Sequence, residues 1–203
     1  MTNLAVLVSG RGSNLQAILE AGVPVRLVVS NKAEAPALAI AAEHGVETLV
    51  QPKPAALGGR QARDELLLAE LRARSVGLLA LAGYNQILSA CLLDAFPNGI
   101  VNVHPSLLPA FAGGMAPEPQ RQALEYGVKL SGCTVHLVTA DVDAGPILAQ
   151  ASVPVLPADT VDSLSGRILA EEHRLLPAVL RQILAGRLIV NGRQAAIWPE
   201  TCC

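Results

Sequence analysis

Short aliphatic runs alternate along the first hundred positions with stretches whose apolar residues recur every three or four places. The runs "LAVLVSG" (4–10), "VRLVVSN" (25–31), "ETLV" (47–50), "VGLLALAG" (76–83) and "GIVNVH" (99–104) predict five strands. Between them "NLQAILEA", "APALAIAAEHG" and "QARDELLLAELRA" (61–73) predict helices, the last with Leu67, Leu68 and Leu71 near one face. The strands are continuously apolar rather than alternating, as in a parallel sheet covered by helices on both faces. The polar, Pro- and Gly-rich stretch 51–59 reads as a loop.

From residue 132 the pattern changes. "GCTVHLVT" and "ILAQASVPV" read as a pair of longer strands flanking the turn-rich "ADVDAGP". A helix is predicted over 161–184, and "GRLIVNGRQAAI" reads as a hairpin turning at Asn-Gly. The expected fold class is α/β, a Rossmann-like three-layer arrangement with a mostly parallel central sheet and antiparallel C-terminal strands. No repeat or low-complexity linker divides the chain, so one domain over 1–203 is expected, with halves at about 1–100 and 101–203. In open sheets of this kind the ligand crevice lies at the carboxyl ends of the strands. Gly10, Gly83 and His104 fall there.

Composition narrows the partners. Apolar residues make up 51% of the 203 and aromatics 2%, so the core must be built of Ala, Val, Leu and Ile. A net charge of -2 and a pI near 6.1 give no reason to expect nucleic acid or a membrane surface. Twelve of the fifteen cationic residues are arginine, which reads mostly as a genome-composition bias, although arginine also suits phosphate and carboxylate. The N-terminus has no basic leader, and no apolar run reaches the ~20 residues of a membrane helix. Cys91, Cys133, Cys202 and Cys203 have no paired metal spacing, so neither zinc nor a disulfide framework is expected. A cytoplasmic protein is expected, with Cys202 and Cys203 as an exposed tail.

Three short stretches carry candidate chemistry. "SGRGSNLQ" (9–16) links the first strand to the first helix. Its glycines permit close backbone approach, and Ser13 and Asn14 present amides at a helix N-terminus, which makes an anion site. It lacks the Gly-Lys-Ser/Thr of a Walker loop and the third glycine of a dinucleotide fingerprint, so a phosphate monoester is the better guest. A tight turn with an N-cap would account for the same residues. In "VNVHPSLLP", Asn102 and His104 alternate with Val101 and Val103 and share a face, and Pro105 ends strand pairing. A core histidine with an ordinary partner would account for that. In "VTADVDAGPI", Asp141 and Asp143 sit in a turn that a solvated loop would also explain. His136, within a strand, and His173, beside a helical Glu, read as mainly structural.

Taken together, "SGRGSNLQAIL", "SNKAEAPAL", "LAGYNQILS", "NVHPSLLPAF", "RQALEYGVKLSGCTVHLV", "DVDAGPILAQ" and "AEEHRLLP" resemble the folate-dependent phosphoribosylglycinamide (glycinamide ribonucleotide) formyltransferase family over nearly the whole chain. The resemblance implies transfer of a formyl group from 10-formyltetrahydrofolate to the glycyl amine of glycinamide ribonucleotide, with no metal. It implies a catalytic trio of Asn102, His104 and Asp143: Asn102 on the formyl oxygen, His104 as general acid and Asp143 orienting it. The substrate phosphate would lie on Gly12, Ser13 and Asn14, and Glu172 would contact the ribonucleotide. The folate would use the backbone of Asn85, Gln86, Ile87 and Leu88 and the loop of Thr139, Ala140, Asp141 and Val142, with Arg60 near its acidic tail. The expected halves are a phosphate-binding one at about 1–100, which also holds Arg60 and 85–88, and a folate and catalytic one at about 101–203. The partners implied are these two small molecules, with no nucleic acid or membrane, in a monomer or weak homodimer.

Two departures stand out. Family members commonly carry arginine in the "LAGxxRIL" segment, where this chain has Gln86. The loop "AFAGGMAPEP" (110–119) is longer than the shorter family pattern and is expected to be a lid. Two rivals use the same cosubstrate, a formyltetrahydrofolate hydrolase and a tRNA formyltransferase. The first strand starting at residue 4 and the end at 203 are expected to set those apart, because they carry extra N- and C-terminal domains respectively. A non-catalytic phosphometabolite-binding protein would leave Asn102, His104 and Asp143 unexplained together.

Overall fold

The computed structural model describes residues 2–51 and 58–197. Most of the expected 51–59 loop and the Cys202–Cys203 tail lie outside the described residues. The chain divides into two compact units, 1–101 and 102–203.

In the first unit the strands β1 (Asn3–Val8), β2 (Val25–Ser30), β3 (Glu47–Val50) and β4 (Val76–Leu81) pair in parallel, in the order β3-β2-β1-β4. β1 lies between two neighbours, and Leu4 to Val8 are completely buried, which is why its sequence is unbroken aliphatic. The helices are α1 (Ser13–Glu20), α2 (Pro36–Glu43), α3 (Arg60–Ala73) and α4 (Ala90–Ala95). Apolar spacing does not predict α4, which is a single short element with one buried residue, Leu92. Along α3, Leu67, Leu68 and Leu71 are buried as their spacing predicts, and so are Arg63 and Asp64.

Polar side chains tie the carboxyl ends of these strands together. Ser9 Oγ donates to Asn31 Oδ1 (2.7 Å) and accepts from the Asn85 amide (3.0 Å), while Asn31 Nδ2 donates to Asn85 Oδ1 (2.9 Å). The loops after β1, β2 and β4 are thereby held to one another without strand pairing.

β5 (Ile100–His104) crosses the division between the units. The second unit continues with α5 (Glu118–Tyr126), β6 (Leu130–Leu137), β7 (Ile147–Pro154), α6 (Val161–Leu184), β8 (Leu188–Asn191) and β9 (Gln194–Ile197). The 110–119 stretch is loop only as far as Pro117, because α5 begins at Glu118. β6 and β7 are antiparallel, with the register shifting between Val135 and His136. β8 and β9 form the predicted hairpin about Gly192, and β9 pairs in parallel with β7. α6 packs on β6 and β7 and starts with a reciprocal cap between Thr160 and Ser163. The fold class is α/β, with a mostly parallel sheet and antiparallel C-terminal strands, as the periodicity predicts.

One hydroxyl organises the loop after β5. Thr134 Oγ1 donates to the Ser106 carbonyl (2.7 Å) and accepts from the Leu108 amide and Gln150 Nε2 (both 3.0 Å). Gln150 Nε2 also donates to the Leu108 carbonyl (3.0 Å), and Ser106 Oγ to the Ala110 carbonyl (2.6 Å). Thr134 is fully buried, so a near-isosteric Thr134→Val leaves buried polar groups unpaired. The expected loss is about 1–3 kcal/mol of unfolding free energy in urea titration.

Candidate active site

The alternation of β5 places Asn102 and His104 on one face, and each meets a partner brought by the β6–β7 turn region. His104 is 2% exposed. Its Nδ1 lies 3.2 Å from Asp143 Oδ2, and its Nε2 is 3.0 Å from the Phe111 carbonyl oxygen. Both ring nitrogens therefore face acceptors, an arrangement that suits the imidazolium, which has two N–H donors.

Asn102 reaches the same carboxylate through a second histidine. Its Nδ2 lies 3.1 Å from His136 Nε2, which is itself 3.6 Å from Asp143 Oδ1. His136 Nδ1 is 3.0 Å from the Leu137 carbonyl, so Nδ1 carries the proton and Nε2 can accept from the Asn102 amide. His136, which its place within the strand "CTVHLV" assigns to structure, thus orients the side chain of Asn102. A signal for it does exist in the sequence: Thr134 and His136 are two polar residues in succession on one face of a strand too apolar to be exposed.

Asp143 itself is placed by backbone. Its φ of 51° is left-handed, and its Oδ2 accepts from the Gly113 amide at 2.8 Å. A Cβ on Gly145 would run into the Leu137 carbonyl, so the turn carrying Asp143 is pressed against the end of β6. Arg193, at the β8–β9 turn, donates to the Ala144 carbonyl (2.9 Å) and holds the other flank.

The electrostatics combine burial with pairing. Burial pushes the His104 imidazolium below its ordinary range and prevails, although Asp143 and the Phe111 carbonyl pull it upward; His136 adds to the lowering. For Asp143 the balance runs the other way. Burial raises its carboxyl, but His136, the Gly113 amide and His104 together hold it below the usual carboxylate range. The pair is thus an ionised carboxylate beside an unusually acidic imidazolium.

The remaining expected site residues lie as follows. Gly12 is the left-handed N-cap of α1 (φ 83°), and a Cβ there would come within 2.7 Å of Ala37 Cβ. Ser13 and Asn14 form the first turn, whose amides point out of the helix start. Arg60 is exposed at the first position of α3. Asn85 is engaged with Ser9 and Asn31, and Ile87 is exposed while Leu88 is buried. In the second unit Thr139 Oγ1 donates to the Asp141 carbonyl (3.2 Å), and Ala140, Asp141 and Val142 are exposed. Glu172 is buried on α6, close enough to Cys133 that its charge adds to the burial that pushes that thiol up to about 12. Among the described residues no cluster of three His, Cys, Asp or Glu side chains is arranged to hold a metal, and no helix is long and apolar enough to cross a membrane.

Comparison with known proteins bears on this geometry. The chain is 39% identical over 201 residues to the phosphoribosylglycinamide formyltransferase of Escherichia coli, covering 95% of this chain and 92% of that one. It is 41% identical over 196 residues to the trifunctional purine biosynthetic protein adenosine-3 of Drosophila melanogaster; that match takes in 93% of this chain and spans only 14% of the relative's length. The crystal structure of glycinamide ribonucleotide transformylase 1 from Symbiobacterium toebii superposes with a TM-score of 0.92 at 49% identity, covering 98% of this chain and 95% of that one. The formyl transferase family profile matches residues 2–180, and the chain belongs to that family.

Proposed function

We propose that this formyl transferase moves the formyl group of 10-formyltetrahydrofolate to the glycyl amine of glycinamide ribonucleotide, a step of purine biosynthesis. The observation that carries the reading is the buried Asp143–His104 pair, with Asn102 held beside it through His136. A formyl donor of this kind fits that donor set: one neutral amide and one acidic imidazole N–H are what a carbonyl oxygen gathering negative charge requires.

The amine forms a bond to the formyl carbon as the bond from that carbon to the folate nitrogen breaks. Asn102 keeps one amide hydrogen for the formyl oxygen while the other is held by His136. His104 supplies the second donor from Nε2, in the direction now taken by the Phe111 carbonyl, which stands where a substrate oxygen would accept. The amine gives up a proton and the folate nitrogen gains one. His104 is the acid in this exchange, because a depressed imidazolium releases its proton readily, and Asp143 keeps the ring aligned. Burial strengthens each of these interactions by excluding water.

Gly12, Ser13 and Asn14 receive the substrate phosphate, supported by the amide-bearing start of α1 and a glycine cap with no room for a side chain. Glu172 contacts the ribonucleotide. The folate lies against Asn85 to Leu88 and the exposed turn of Thr139 to Val142, with Arg60 near its acidic tail. A hydrolase using the same donor would need only a water in place of the amine, so the assay includes a reaction without ribonucleotide.

The protein is incubated with 10-formyltetrahydrofolate, with and without glycinamide ribonucleotide, and folate absorbance is followed. Formyl loss that depends on the ribonucleotide is expected. Loss without it indicates the hydrolase, and no change in either arm removes the enzymatic reading. His104→Ala is expected to lower kcat by about a hundredfold or more while ribonucleotide affinity, measured by calorimetry, stays within about twofold.

A pH dependence of stability follows from the two depressed groups. The unfolded His104 takes up a proton near pH 6.5, but the folded one resists it until a lower pH, so stability declines as pH falls below about 6.5. Asp143 stabilises the fold above its unfolded pKa near 4, and this is lost only as pH drops through its lower folded value. The melting temperature is expected to fall between about pH 7 and pH 5, with a shallower fall in His104→Asn.

A further inference from the structure

The segment 84–89, between β4 and α4, is gripped by a network of buried polar groups that fold stability alone does not require. Arg63, on the same stripe of α3 as Leu67 and Leu71, is 1% exposed, and Asp64 is completely buried. Arg63 Nε donates to Asp64 Oδ1 (2.7 Å), one terminal nitrogen to Gln86 Oε1 (3.0 Å) and the other to the Ile87 carbonyl (3.0 Å). Asp64 Oδ2 accepts from the Ser89 amide at 2.7 Å. Tyr84 donates from its hydroxyl to Gln51 Oε1 (2.6 Å), and Gln51 Nε2 is 3.5 Å from the Arg63 carbonyl. Positions 84, 86, 87 and 89 are each fixed from α3 or from Gln51.

The fork dictates which way the segment faces. The Ile87 carbonyl is turned inward to the guanidinium while its side chain is 61% exposed. Gln86 is neutral, and its side-chain oxygen accepts from a guanidinium arriving from another element. Burying an ion pair gains little stability over apolar packing of the same volume, and such pairs are best attested where a particular geometry has to be specified. A planar guanidinium with five donors in fixed directions can hold a carboxylate, an amide oxygen and a backbone carbonyl at once, whereas a lysine ammonium is a point charge on a flexible stem.

We infer that Arg63 is a positioning residue for the folate-contacting segment 85–88, which it holds from α3 through Gln86 and the Ile87 carbonyl. This rests on the reading that 85–88 meets the folate. Arg63 touches neither substrate in this scheme and fixes only the direction of the segment that does.

Two variants test it. Arg63→Lys keeps a positive charge beside Asp64 but cannot maintain the fork. The double variant Arg63→Met/Asp64→Leu removes both buried charges, so that neither is left unpaired. In each, the KM for 10-formyltetrahydrofolate is expected to rise about tenfold or more, while the KM for glycinamide ribonucleotide stays within about twofold. A folate KM that stays near the original in either variant overturns the inference. So does a parallel rise of both KM values, which would mark a general structural loss. If the unaltered protein transfers no formyl group, the functional reading fails. Direct titration with tetrahydrofolate then carries the same comparison: weaker binding in both variants upholds the role of Arg63, and equal binding removes it.

Discussion

The second unit is arranged around one carboxylate. Asp143 Oδ2 is committed to His104 and the Gly113 amide, and its Oδ1 lies 3.6 Å from His136 Nε2. His136, beside it, orients the amide of Asn102. A left-handed residue in a tight turn is an expensive place for a non-glycine, of order 1–3 kcal/mol, and it persists only where surrounding contacts fix it. Here they are the Gly145 contact with the end of β6, the Arg193 bond to Ala144 and the bonds of the side chain to His104 and the Gly113 amide. Were that turn displaced, His104 would lose the partner that fixes its ring.

The choice of side chains around that carboxylate is chemically consistent. A dry pocket rejects charge, and burial accordingly lowers the pKa of His104 here even beside an ionised partner. A second permanent cation would raise that cost, so the other donor to a developing oxyanion is an amide, neutral in every protonation state. Asn102 needs orientation more than polarity, since amide oxygen and nitrogen must not exchange places. His136, with Nδ1 committed to the Leu137 carbonyl, presents only a lone pair and so selects the nitrogen. The register shift between Val135 and His136 is the local backbone feature next to that ring, the sort of irregularity that re-aims a side chain.

Much of this was legible in the chain. Unbroken aliphatic runs report strands buried on both faces, and β1, with five successive residues at 0% exposure, is the plainest case. The polar pair Asn102 and His104 against Val101 and Val103 is a period-two signal, and the structure puts both on the cluster the spacing suggests. Short elements were harder. α4 offers six residues with one buried leucine, and α5 starts in a proline-rich stretch, so neither supports a periodic pattern. His136 was masked by its setting, since a strand reads as structure and a register shift leaves no mark in composition.

Arg63 was the least legible residue, for a reason worth separating from the others. In "QARDELLLAELRA" it reads as one of several charges on an amphipathic helix, and charges on helices are usually solvated. Yet positions 63, 67 and 71 are four apart, so a cation stands on the stripe otherwise filled by leucine. Periodicity assigns it inward, while residue type assigns it outward. Such a conflict between pattern and chemistry marks either a defect or a specific partner, and a compact fold tolerates the first poorly. Asp64 beside it in sequence settles the charge, but the fork needs two more acceptors, which neighbours on the helix cannot supply. They come from Gln86 and Ile87, 23 and 24 residues onward. The neutral glutamine at position 86 and the inward arginine at position 63 are therefore one feature seen at two places in the chain.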